Sequence, residues 1–139
     1  MEVNEFTPTL DEFLTWRRPN NAYIRYPGFK NLYLRKGPVL VRFGGCSYIC
    51  ENVIQIANVQ ATCPGKGAFK SLVRDLVNRG KAIYVECVHT PYFQEKLIEW
   101  GFIRVNEREG DHYLYNHEGC LTNARQETPE SVAMQADSP

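Results

Sequence analysis

A chain of 139 residues is near the commonest domain size and can bury a real core without metal or disulfide staples, so one fold plus tails is expected. Lys+Arg and Asp+Glu both number 16, which excludes a global basic field of the kind that drives nonspecific nucleic-acid binding and leaves only local patches to consider. No apolar run approaches the length of a membrane span, and Met-Glu-Val-Asn-Glu-Phe lacks the basic and apolar regions of a signal peptide, so a cytoplasmic protein without a membrane partner is expected.

In chain order, Thr9-Leu-Asp-Glu12 has capping-box spacing and Leu10, Phe13 and Leu14 follow at helical intervals, predicting a first helix over Thr9–Trp16. From Ala22 to Ala61 β-branched and aromatic runs alternate with turn residues. The runs Ala22–Tyr26, Leu32–Arg35, Val39–Phe43 and Tyr48–Ala61 predict an antiparallel meander of three or four strands. After Gly67, the residues Phe69, Leu72, Val73, Leu76 and Val77 fall on one face of a helix that stops at Asn78-Arg79-Gly80. Ala82–Val88 reads as a buried strand, and its helical connection from the previous strand makes that pair parallel. Thr90 and Pro91 open a third helix that runs to Trp100-Gly101. Phe102–Val105 and His112–Tyr115 read as a hairpin. The order describes an α+β domain over residues 1–118 with a polar, mobile tail over 119–139.

The chemistry concentrates at one turn. Val59-Gln-Ala-Thr-Cys-Pro-Gly-Lys-Gly67 carries a β-type run into a glycine-framed basic turn and straight into a helix. A helix start leaves N–H groups unpaired and carries partial positive charge, Gly65 and Gly67 admit close backbone approach, and Lys66 adds a cation. A phosphate-bearing cofactor is expected there.

Val59–Gly67 resembles the Val-x-Pro-x-Tyr-Arg-Gly-Lys-Gly pattern of the GCN5-related N-acetyltransferase (GNAT) family. Ser71-Leu72-Val73 sits where that family's helix carries Ala-Leu-Leu, and Ile83–Val88 and Trp100-Gly-Phe102 look like its fifth strand and the end of its fourth helix. The agreement covers roughly Val53 to Tyr115, and the style is most similar to small, divergent phage-type members. The resemblance implies a GNAT fold: a mixed, mostly antiparallel sheet with flanking helices, whose fourth and fifth strands are parallel and splay apart. It implies acetyl-CoA or CoA as cofactor, with main-chain groups of Asn58 and Val59 pairing with the pantetheine arm. The N–H groups from Gly65 through Lys66, Gly67, Ala68 and Phe69 to Lys70 would then hold the pyrophosphate. The acceptor would be an amine of a protein or small molecule, and homodimers are frequent in the family.

Acyl transfer to an amine needs a base. The resemblance points to Glu86, at the family's fifth strand, and His89 at the strand end is the other candidate. A glutamate in an apolar strand is expected to have a raised pKa if buried, while an open-face carboxylate or one paired with arginine is the structural alternative. The sequence departs from the family at Pro64 and Phe69 in the glycine signature, at Thr90 where Asn is usual, and at Leu97 where a tyrosine often protonates the thiolate. Tyr113 and Tyr115 are either substitutes for that tyrosine or packing residues. These departures keep open a second class, a GNAT-like binding or inhibitory module acting on a partner protein.

Other chemistries fit less well. Cys63 and Cys87 lack a His or Asp partner at recognisable spacing, Cys46-x-x-x-Cys50 lacks the ligand pairs of a zinc site so no metal is expected, and no Walker A motif is present. Five cysteines in an odd, scattered set suit reduced thiols. Arg17, Arg18, Arg25, Lys30, Arg35 and Lys36, interleaved with Tyr23, Tyr26 and Tyr33, make the first half locally basic; a solvated strand face is the preferred explanation over nucleic acid.

Overall fold

The computed structural model describes residues 7–63, 65–86, 88, 90–116 and 121–123. Thr9 caps α1 (Leu10–Thr15) with a complete capping box, its hydroxyl accepting the Glu12 N–H and the Glu12 carboxylate accepting the Thr9 N–H. Five strands follow: β1 (Asn21–Tyr23), β2 (Phe29–Lys36), β3 (Val39–Phe43), β4 (Cys46–Cys50) and β5 (Val53–Ala61). Then come α2 (Ala68–Asn78), β6 (Ala82–Val85), α3 (Pro91–Glu99), β7 (Ile103–Val105), a 3-10 turn at Glu107–Glu109, β8 (His112–Tyr115) and β9 (Leu121–Asn123).

The strands form two sheets. A six-stranded mixed sheet runs β1-β2-β5-β6-β8-β7, and a three-stranded sheet runs β3-β4-β9. The expected single meander is therefore corrected: β2 pairs with β5, and the β3–β4 hairpin between them leaves for the smaller sheet. The cause is local. Gly44-Gly45 closes a two-residue turn that pairs β3 with β4 alone, and Asn52 at φ 55 breaks the run Tyr48–Ala61 into two strands. β9 adds to β4, so ordered pairing continues past residue 118, where the sequence placed the tail; the remaining residues from 124 onward lie outside those described.

The parallel expectation is met by β5 and β6, in register from Val53↔Ala82 to Ile56↔Val85, and the hairpin expectation by β7 and β8. On one face, Leu32, Leu34, Ile54, Ile56, Ile83 and Val85 pack against Leu10 and Phe13 of α1, Leu72 and Leu76 of α2 and Leu97 of α3. On the other, Val53, Ala82, Tyr84 and Leu114 pack against Val41 and Cys50 of the small sheet. Every residue of β6 is buried, as a strand covered on both faces requires.

Asn106 fastens the two sheets together. Its amide donates to the Leu40 carbonyl at 3.1 Å and the Tyr84 hydroxyl at 2.9 Å, while its Oδ1 accepts the Arg42 N–H at 2.7 Å. Its own N–H donates to the Arg42 carbonyl at 2.9 Å. The buried amide thus acts as a strand partner for the edge of β3.

Candidate functional site

The site is built where β5 outlasts β6. The parallel ladder ends at Ile56↔Val85, with a last bond from the Glu86 N–H to the Ile56 carbonyl at 3.3 Å, yet β5 continues to Ala61. An unopposed residue, Ala57, lies between Ile56↔Leu34 and Asn58↔Tyr33, so a bulge sits at the rung where the two strands part. Beyond it, the Thr62 N–H bonds Gly28 on the β2 side, and strand alternation then turns the main-chain groups of Val59 and Ala61 to the side β6 has vacated. Asn58 lies at the bulge itself, opposite Tyr33.

β5 delivers the chain to the glycine turn. Gly67 is the N-cap of α2 with φ 84 and Gly65 has φ 85, both in the left-handed region that favours glycine. A Cβ added at either would meet nothing within 4 Å, so the space above the turn is open. The first intrahelical bond runs from the Ser71 N–H to the Gly67 carbonyl, and no side chain caps the helix. The N–H groups of Ala68, Phe69 and Lys70 therefore lie outside the helix ladder and face an uncapped end. Gly28 holds the turn from below: a Cβ there would stand 2.7 Å from the Ala68 Cβ.

These elements enclose a cleft of about 460 Å³ lined by Phe29, Val59, Ala61, Cys63, Gly65, Gly67, Ala68, Phe69 and Lys70, with Tyr92, Phe93, Lys96 and Glu99 of α3 and its C-cap Trp100 as the far wall; Glu99 is ion-paired with Lys96. The structure thus brings the predicted residues Val59, Gly65, Gly67, Ala68, Phe69 and Lys70 together, and adds a wall that sequence reasoning missed. The Phe69 ring meets Phe93 edge-on at 4.8 Å and stacks on Trp100 at 6.1 Å, so this large residue closes the cleft against α3. Lys66 turns instead into a second cleft of about 810 Å³ on the other flank of α2, with Arg25, Tyr26, Ser71 and Asp75. There the Tyr26 hydroxyl donates to Asp75 at 2.7 Å; burial and that bond raise the Tyr26 pKa well above its usual value.

Glu86 stands at the same opening on the opposite face of the sheet. It follows Val85, which is on the helix side, so alternation points it away from the helices, toward Arg35. Arg35 Nη1 donates to Glu86 Oε2 at 2.8 Å. The expectation of a glutamate inside an apolar strand is corrected: β6 ends at Val85, and the partly exposed Glu86 carboxylate is ion-paired. His89, Cys87 and Pro64 lie outside the described residues.

The two tyrosines considered as acids, Tyr113 and Tyr115, both lie away from this cleft. Tyr113 lines a different hollow with Pro91, Gln94, Glu95 and Ile98, away from the cleft at the glycine turn, and Tyr115 packs on Phe102. Leu97 is fully buried in the core. Tyr92, 68% exposed, is the residue that puts a phenol on the cleft wall. Two of the basic residues of the first half are engaged within the fold: Arg35 pairs with Glu86, and Lys36 donates to the carbonyls of Phe13 and Trp16 at the end of α1.

Among the described residues no group of three or more His, Cys, Asp or Glu is placed to hold a metal, and no helix is long and apolar enough to cross a membrane. No family model matches the chain, and neither does any curated protein or solved structure.

Proposed function

We propose that the chain is an acyl-CoA-dependent N-acyltransferase of GNAT fold, with acetyl-CoA as donor and an amine as acceptor. The observation that carries this reading is a coincidence of position: the parting of β5 from β6 and the uncapped glycine turn open onto one cleft. An open strand edge suits an amide-containing pantetheine arm, and an uncapped helix start suits a pyrophosphate, in the order a CoA molecule presents them.

The residues present fit that group. Val59 and Ala61 would pair with the arm, the N–H groups of Ala68, Phe69 and Lys70 would hold the pyrophosphate, and the Phe69–Trp100 pair forms an apolar floor. When bound, acyl-CoA supplies a thioester carbonyl open to attack by an amine. Glu86, across the gap between the strands, would receive the amine's proton, and its ion pair with Arg35 would orient the carboxylate. Release of free thiol from acetyl-CoA across a panel of amines tests turnover. Glu86→Gln is expected to slow it by about tenfold or more, and an unchanged rate would remove Glu86 as the base.

A second reading, a GNAT-like module that binds a partner protein without turnover, is favoured by one feature. The position of the usual acid is an apolar core residue, Leu97. CoA binding with no thiol release on any amine would select it.

A further inference from the structure

The face of the sheet that carries Glu86 has its own chemistry. Alternation places Asn31, Tyr33 and Arg35 of β2 there, beside Tyr23 of β1 and Gln55, Asn58 and Gln60 of β5. On β2 and at the end of β6 this face carries Arg35 and Glu86, and they are paired. We propose that this pair reads the acceptor, and that the acceptor is a free α-amino acid. The inference rests on the acyl-transfer reading, which is what brings an amine to this opening.

Both side chains are within reach of a solute, at 42% exposure for Arg35 and 22% for Glu86. Their mutual bond uses Nη1 and Oε2. A guanidinium carries five donors, so its remaining edge can take a carboxylate two-pronged, and Oε1 of Glu86 can accept an ammonium. An α-amino acid carries those two groups on one carbon and completes an alternating square of charges over the pair. A lysine side chain or a polyamine offers only the ammonium and leaves Arg35 unanswered. Tyr33 lies 5.7 Å from the Arg35 guanidinium carbon, and Tyr23 lies 4.8 Å from Tyr33, so an aromatic wall stands beside the carboxylate position. Bound this way, the amine sits against Glu86 at the rung where β5 and β6 part.

The step balances without another reactant. Glu86 first takes one proton from the bound ammonium and passes it to water, which frees the amine lone pair; the lone pair forms the new C–N bond, the C–S bond breaks with its electron pair left on sulfur, and the second amine proton, again taken up by Glu86, ends on the thiolate. The products are an N-acyl amino acid and the free thiol of CoA.

Titration of isotope-labelled protein by NMR, with and without saturating CoA, tests this independently of turnover. The probes are L-phenylalanine, L-phenylalaninamide and 3-phenylpropanoate. L-phenylalanine is expected to bind at least about tenfold more tightly than either analogue, with shifts at Arg35, Gln55 and Glu86. Arg35→Gln is expected to reduce it to the level of the amide while leaving CoA affinity within about twofold, which also reports that the variant is folded. Equal binding of the amide, or no saturation by L-phenylalanine at about 10 mM, would overturn the inference; if Arg35→Gln fails to fold, the three probes on the unaltered protein decide. A protein that binds CoA but shows no preference for the amino acid loses this inference alone. One that does not bind CoA loses the acyl-transfer reading.

Discussion

The two halves of β5 share their partner β2 and differ in what lies on the other edge. From Ile54 to Ile56 the strand is paired on both edges and covered by helices on one face. At Val53 its other face packs against the small sheet. From Ala57 to Ala61 it keeps β2, loses β6, and alternates between half-buried and exposed residues. One half is a core strand; the other is an edge held in place by its neighbours. Such an edge costs unpaired main-chain groups, and the fold offers them to a cleft rather than covering them.

The largest way to break the contrast is to loosen the closed half. Asn106→Ala leaves the Arg42 N–H, the Leu40 carbonyl and the Tyr84 hydroxyl without their partner and is expected to cost about 3 kcal/mol in urea unfolding. On the proposed reading CoA binding depends on the open half and should survive in the folded fraction. Gly28→Ala acts on the open half instead. Its Cβ would meet Ala68 at 2.7 Å and its φ is +92°, so a loss of about 2 kcal/mol is expected, together with weaker CoA binding because the start of α2 must shift.

A smaller effect separates the cleft from its supports. Burial raises the Asp75 carboxyl, but hydrogen bonds from Arg79 and Tyr26 outweigh it and the net direction is down. That carboxylate therefore contributes stability above its ordinary value of 3.8 that is lost as pH falls through its lower folded value. Tyr26, raised by burial and then by Asp75, contributes stability below 10.0 that is lost as pH rises toward its folded value. Tyr26→Phe should remove the Tyr26 share of the alkaline loss, reduce the acid one, and cost about 1 kcal/mol at neutral pH, read by thermal melts across pH.

The same contrast explains what could be read from the sequence. α1, α2, α3 and the β7–β8 hairpin were legible because their signals are local: a capping box at Thr9, a five-residue apolar face after Gly67, Pro91 opening a helix. The parallel pairing of β5 with β6 followed from the helix between them. Strand partners farther apart were not legible. Nothing near Val39–Cys50 announces that this hairpin will skip its neighbours and join Leu121–Asn123. At the site, the glycine turn was visible because Gly65 and Gly67 carry their conformational reason with them. Arg35 as the partner of Glu86, 51 positions away, and Tyr92 as part of the cleft wall were not, because both follow from how the sheet and α3 come together.

The central claim is that the open half of β5 and the glycine turn form one CoA site. Isothermal titration calorimetry of the protein with CoA and with acetyl-CoA tests it most directly. Saturable one-to-one binding of both, with a dissociation constant below about 100 μM, is the expected result. No binding of either at about 1 mM ligand would contradict the account.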